Sequence, residues 1–307
     1  MLKRFAKRRV RSAVARVGSW FERRQEEELA IAAAIADGAV DGLEYPSSYV
    51  RFLRDCMRPQ RHDVKEVRTV QVPASEASRR FATLLDMLSS DVPAAPLSAA
   101  RTIATVADGL QGSTQRFTYG DWAADVGAHF TTSSSFGCQG RLIACVVRFM
   151  RSNRCLELGT AYGLSALFIL AALQRNGERG HLTTLEATDP QFSFAAKMLH
   201  DAFRESVTCY KGLTYEALPA LLPSLGSIDF LYHDAGHSRK DYVTDFGLVE
   251  PVLGSGATVL VDDINWTSSR FYRGDPQTHA GWMDVVAHER VVRAVELDGK
   301  LGLLLLR

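Results

Sequence analysis

From residue 141 onward, apolar and polar positions follow two alternating periods. Short apolar runs of strand length occur at 154–158, 181–186, 207–210, 228–232 and 258–261. Between them, helical spacing recurs at 141–150, 164–173, 191–203, 215–222 and 240–252. Strands separated by helices of these lengths predict a parallel sheet covered on both faces. The chain ends differently. A helix at 281–288 precedes two apolar runs, 291–297 and 301–307, joined by Asp298-Gly299-Lys300. An Asp-Gly turn between strands predicts an antiparallel hairpin at the sheet edge. The expectation is an α/β fold: a doubly wound, seven-stranded, mostly parallel sheet with a C-terminal antiparallel hairpin.

The first 127 residues follow another pattern, mainly helical and broken by Pro46, Pro59, Pro93 and Pro96. Val10, Val14, Val17 and Phe21 recur at helical spacing and predict one amphipathic helix over 1–28. Its first half is strongly basic and Glu26-Glu27-Glu28 follow. Such a face is either a solvated arm packing on a neighbouring subunit, in a homodimer for instance, or a peripheral contact with an anionic membrane surface; a charge run favours the former. A brief alternation at 68–72 predicts a short strand. The polar stretch 131–137 marks the boundary, giving a mainly helical region 1–127 and a second domain, 128–307.

Composition changes this picture little. With 46% hydrophobic residues and net charge +1, the 307-residue chain has ample core and no case for nucleic acid. Cys56, Cys138, Cys145, Cys155 and Cys209 contain no CxxC pair, which favours a reducing compartment over a zinc cluster or disulfide scaffold. No apolar run is long enough to span a bilayer and no secretory signal is visible, so a cytoplasmic location is expected.

The chemistry starts at Glu157-Leu158-Gly159-Thr160-Ala161-Tyr162-Gly163-Leu164-Ser165, a strand ending on an acid, a turn with two glycines, then a buried helix. Glycine lets backbone approach a ligand that a Cβ would exclude. The spacing is acid-x-Gly-x-x-x-Gly, without the third glycine of a pyrophosphate turn, and the carboxylate would repel a polyphosphate. It suits a cationic ligand bearing an amine, such as S-adenosylmethionine (AdoMet). Further acids follow later strands: Glu186, then Asp234 in His233-Asp234-Ala235-Gly236-His237, then Asp262-Asp263-Ile264-Asn265.

Together these motifs resemble the class I AdoMet-dependent methyltransferases, a Rossmann-like fold. Within that class the chain is similar to methyltransferase family 24 and to the catechol- and macrocin-type O-methyltransferases. The resemblance runs from about residue 128 to the end. It implies that Glu157, Gly159, Tyr162, Gly163 and Ser165 seat the methionine part of AdoMet, and that Glu186 takes the ribose hydroxyls. Gly212 and Leu213 would border the adenine, and Asp234 would face both cofactor and substrate. It also implies a small-molecule hydroxyl substrate and a Mg²⁺ ion on Asp234, Asp262 and Asp263, with Asp263 the inner acid of the pair.

The chain departs from the family where Ile264 precedes Asn265 and where Gly236 replaces the macrocin-type base. His237 then becomes the candidate general base, with Asp234 beside it, or else a residue at a helix N-terminus bonded to backbone. His233 with His237 as transition-metal ligands is a further alternative. The segment with Arg270-Phe271-Tyr272-Arg273, Asp275, His279 and Trp282 is either a lid or an ordinary loop. A metal-independent methyltransferase with a His base and a non-catalytic AdoMet-fold scaffold also remain open.

Overall fold

The computed structural model describes residues 61–90, 116–119, 122–125, 139–177, 180–189, 191–267 and 276–307. The expected basic helix at 1–28, the polar stretch 131–137 and the aromatic-basic segment 270–273 lie outside these residues.

In chain order the elements are β1 (Val64–Thr69), α1 (Glu76–Leu88), β2 (Arg116–Tyr119), β3 (Trp122–Asp125), α2 (Gly140–Met150), β4 (Arg154–Leu158), α3 (Leu164–Asn176), β5 (His181–Glu186), α4 (Gln191–Phe203), β6 (Val207–Lys211), α5 (Thr214–Leu225), β7 (Ile228–His233), α6 (Arg239–Val249), β8 (Leu253–Val261), α7 (Thr278–Val286), β9 (Val291–Leu297) and β10 (Leu301–Leu306). Short 3₁₀ turns follow α4 and α6. β2 and β3 form a separate antiparallel pair. The main sheet has eight strands in the order β1-β9-β10-β8-β7-β4-β5-β6. β4, β5, β6, β7 and β8 are mutually parallel, whereas β10 runs antiparallel to both β8 and β9.

The seven strands expected from sequence are therefore present, and an eighth joins them. The strand expected at 68–72 is displaced: β1 spans Val64–Thr69, residues 70–72 lie outside it, and it pairs antiparallel with β9. Ser75 caps α1 by accepting from the Ser78 amide at 3.0 Å, and the helix then buries Phe81, Leu84, Leu85 and Leu88. That 3–4 spacing puts one apolar stripe against α2.

The parallel strands are apolar almost throughout because both faces are covered. Along β4, Cys155 enters one core with α1, α2 and α3, while Leu156 and Leu158 enter the opposite core with α5, α6 and α7. α3 is buried from Leu164 to Leu173, so its sequence is hydrophobic all round. The hairpin turn has Asp298 at φ 54° and Gly299 at φ 63°, two left-handed residues in succession, which only an Asp-Gly type of turn supplies cheaply. Gly302 pairs with Val261, so this turn sits at the carboxyl end of β8, level with the ends of the other parallel strands. No helix of the described residues is long and apolar enough to cross a membrane.

Candidate active site

The carboxyl ends of β4, β5, β7 and β8 carry the predicted residues. Parallel register sets Glu157 of β4 beside Thr184 of β5. Glu157 is fully buried. The Thr184 hydroxyl donates to Oε2; the Ser165 hydroxyl lies near enough to favour the ionised form, but no donor meets Oε1 in hydrogen-bonding geometry. Burial pushes the carboxyl up to about 7, against hydrogen bonding from Ser165 and Thr184 and with help from the Glu186 charge. A buried carboxylate with one empty oxygen is expensive unless a ligand completes it.

The turn that follows is held by Glu186. Its Oε2 accepts the Ala161 amide at 2.7 Å, and Oε1 accepts the Thr188 amide at 2.9 Å and hydroxyl at 2.6 Å. Each carboxylate oxygen has two lone pairs, so a diol can add at Oε2, and at Oε1 if the Thr188 hydroxyl turns away. The glycines also serve packing within the protein. Gly159 has φ +92°, and a Cβ there would lie 2.0 Å from the carbonyl oxygen of Asp234. Its close approach is to the end of β7. At Gly163, φ +85°, a Cβ would meet the flexible end of Met198 at 2.7 Å. Both glycines let the turn pack against protein.

Tyr162 is buried with its ring edge on Phe194, centroids 5.6 Å apart, and Ser165 is buried in the first turn of α3. Gly212 donates its amide to the Glu186 carbonyl at 3.0 Å, and Leu213 beside it is exposed. An exposed leucine next to the β5 and β6 ends suits the flat face of a base.

On the other side of β4, the Asp234 amide donates to the Leu158 carbonyl at 2.8 Å. Burial and the neighbouring Asp262 and Asp263 charges push the Asp234 carboxyl well above the usual carboxylate range. A quarter of its side chain still reaches solvent, which tempers the contribution of burial. His237 Nε2 lies 3.6 Å from both Asp234 Oδ1 and Asp263 Oδ2, and its ring stacks edge-on with Trp266 at 4.9 Å. Burial holds the imidazole below its ordinary value, outweighing the pull of Asp263 and Asp262. His237 immediately precedes the cap of α6, Ser238, which accepts from the Asp241 amide with Asp241 closing the capping box, and a backbone hydrogen bond with Gly236 also acts on His237, as the alternative reading expected. His233 faces elsewhere, 3.0 Å from buried Asp245. His279 and Trp282 both contact Glu296, so neither joins this cluster.

Two expectations about the acids change. Asp262 is the inner residue, 1% exposed, and Asp263 is the partly exposed one. Asp263 has φ 54°, so the backbone leaves the strand conformation just after Asp262. Second, a cation already lies among the acids. Lys300 Nζ donates to Asp262 Oδ1 at 2.8 Å and to Gln139 Oε1 at 2.7 Å, and is 3.3 Å from Asp263 Oδ1. Burial acts to lower the Lys300 pKa, but Asp262 and Asp263 outweigh it and hold the ammonium above its usual value. Asp262 Oδ2 is filled by Gln139 Nε2 at 2.6 Å and the Tyr232 hydroxyl at 3.3 Å. Among the described residues, no group of three or more His, Cys, Asp or Glu side chains is arranged to hold a metal ion. The expected Mg²⁺ set of Asp234, Asp262 and Asp263 thus does not fit a divalent ion: both Asp262 oxygens are taken by protein donors, and the Lys300 ammonium already lies beside Asp263.

Gln139 and Lys300 escaped the sequence reading. One signal for Lys300 was present, because a hairpin antiparallel to the last parallel strand must put its turn at that strand's carboxyl end.

The methyltransferase-domain family 24 profile matches residues 156–264, from β4 to just beyond β8. No curated protein sequence matches the chain. Among solved structures, an O-methyltransferase from Bacillus cereus in complex with SAH (S-adenosylhomocysteine) is similar at 16% identity and TM-score 0.51, over 75% of this chain and 100% of that one. An SAH-bound methyltransferase from Podospora anserina is similar at 14% identity and TM-score 0.51, over 78% and 99%. At these identities the likeness is one of fold.

Proposed function

We propose that this chain, an AdoMet-dependent methyltransferase by its central domain and fold, transfers the methyl group to a hydroxyl oxygen of a small molecule. The observation that carries the reading is Glu157: a buried carboxylate beside the β4 turn with one oxygen unpartnered. An α-ammonium group is the ligand chemistry that would complete it. Bound AdoMet supplies a methyl already activated on a sulfonium, so the protein's part is orientation, exclusion of water and handling of one proton.

Glu157 would hold the ammonium and Glu186 the ribose hydroxyls, directing the methyl toward the β7 end. There His237 Nε2 would accept the hydroxyl proton of the acceptor. Its lowered pKa keeps it neutral and able to do so near neutral pH. The Asp263 carboxylate, 3.6 Å away, would stabilise the imidazolium that forms, while Asp234, equally near, is pushed toward its neutral form by burial and by Asp262 and Asp263. Lys300 already engages Asp262 and Asp263 in the place of a metal.

Isothermal titration of S-adenosylhomocysteine into the full chain should show one micromolar site. Absence of binding would remove the reading. A pH series tests Glu157 itself. With its carboxyl at about 7 in the free protein, binding at lower pH must expel a proton before the ammonium can be held. Affinity should therefore fall about ten-fold between pH 7.5 and 6, as roughly one proton per site is released. Glu157→Gln should bind more weakly at pH 7.5 and lose that slope. A flat wild-type profile would mean that Glu157 does not meet the ammonium.

A further inference from the structure

We infer that Lys300 is a resident cation of the acceptor site, its ammonium occupying the place among the strand-end acids that a divalent metal would otherwise need. The placement rests on the proposed methyl-transfer reading only in calling that end the acceptor side.

The ammonium donates to Gln139 Oε1 and Asp262 Oδ1 and forms an ion pair with Asp263 Oδ1 at 3.3 Å. Two of these are carboxylates from the end of β8, and the third, Gln139, bridges back to Asp262 and to the Tyr232 hydroxyl. A lysine on a hairpin turn is normally a solvated end. This one is fixed from two sides. Asp298 accepts from His62 Nδ1 at 2.6 Å and from the Asp63 amide at 2.8 Å. The Asp298 amide in turn reaches the Asp63 carbonyl at 2.9 Å. Opposite, the Ile264 amide donates to the Lys300 carbonyl at 2.9 Å, and Asn265 Nδ2 to the Gly299 carbonyl at 2.6 Å. The residues just before β1 and just after β8 therefore clamp the turn that carries Lys300. That arrangement also gives Asn265 a role that is not metal ligation.

Closely spaced carboxylates need a compensating cation, and the fold supplies one covalently. Removing the ammonium while keeping an apolar stem would leave Asp234, Asp262 and Asp263 together without it. Oxygen ligands in that number suit a hard divalent ion. The proposal therefore predicts that Lys300→Met creates a metal site that the natural chain lacks.

The test is Mn²⁺ alone, titrated into the full-length chain and read by the EPR signal of free Mn²⁺. The wild type should leave the signal of equimolar Mn²⁺ undiminished. Lys300→Met should take up one Mn²⁺ at least ten-fold more tightly, and Lys300→Met with Asp262→Asn should lose that gain. Stoichiometric Mn²⁺ binding by the wild type, abolished by Asp262→Asn, would overturn the inference without any variant needing to fold. So would a Lys300→Met chain that still binds S-adenosylhomocysteine but gains no Mn²⁺. The readout needs neither cofactor nor turnover, so failure of the methyl-transfer reading would appear separately, as absence of S-adenosylhomocysteine binding to the wild type.

Discussion

His237→Ala is expected to lower kcat for methyl transfer about 10²–10⁴-fold, the range for loss of a positioned general base, while leaving S-adenosylhomocysteine affinity unchanged. The split follows from geometry. His237 sits beyond the end of β7 with Asp234 and Asp263, while the proposed cofactor contacts, Glu157 and Glu186, end β4 and β5. Burial already keeps its imidazole from charging at neutral pH, so it can take a proton without first losing one. Methyl-labelled AdoMet offered with a panel of phenols, sugars and aliphatic alcohols would identify an acceptor for the kinetics. A fall of less than ten-fold, or equal losses in kcat and cofactor affinity, would give His237 a packing role against Trp266 instead.

Gly159→Ala should cost about 2–5 kcal/mol of stability, summing about 1–2 for a left-handed non-glycine residue and about 1–3 for overpacking. The clash is with backbone: the new Cβ would lie 2.0 Å from the Asp234 carbonyl oxygen, at φ +92°. Relief requires β4 and β7 to separate at the point where Asp234 and His237 begin. The variant should therefore lose activity even where it still folds. Gly299→Ala is the matched control, with φ +63° and open space around its Cβ, and it should cost only the conformational part. Urea unfolding of the two variants would distinguish them. Equal losses would mean that the packing of Gly159 on β7 does not matter.

What the sequence revealed, and what it hid, follows the range of the interactions. Glu157 to Ser165 was legible because a strand, a glycine turn and a helix are consecutive and local. Glu186 and Asp234 were legible because they end apolar runs, and parallel sheets gather such ends on one side. The close packing of Gly159 on Asp234 was not legible, since that neighbour lies far along the chain. Asp262 and Asp263 were inverted because their order was carried over from the resemblance, and the left-handed backbone at Asp263 is not legible in the sequence. Lys300 was passed over as turn chemistry. Its partner Asp262 lies 38 positions earlier and Gln139 lies 161 earlier, separations at which no spacing rule operates. A strand was legible near β1 but placed late, at 68–72, and its pairing with β9 was not legible, because an edge strand's partner is set by the finished sheet.

The most direct test of the cofactor seat is a crystal structure of the full chain with S-adenosylhomocysteine. The ammonium should lie against Glu157 Oε1 and the ribose hydroxyls against Glu186, with the sulfur directed toward His237. A ligand bound elsewhere, or one whose ammonium turns away and leaves Glu157 sealed as it is in the free chain, would contradict the account.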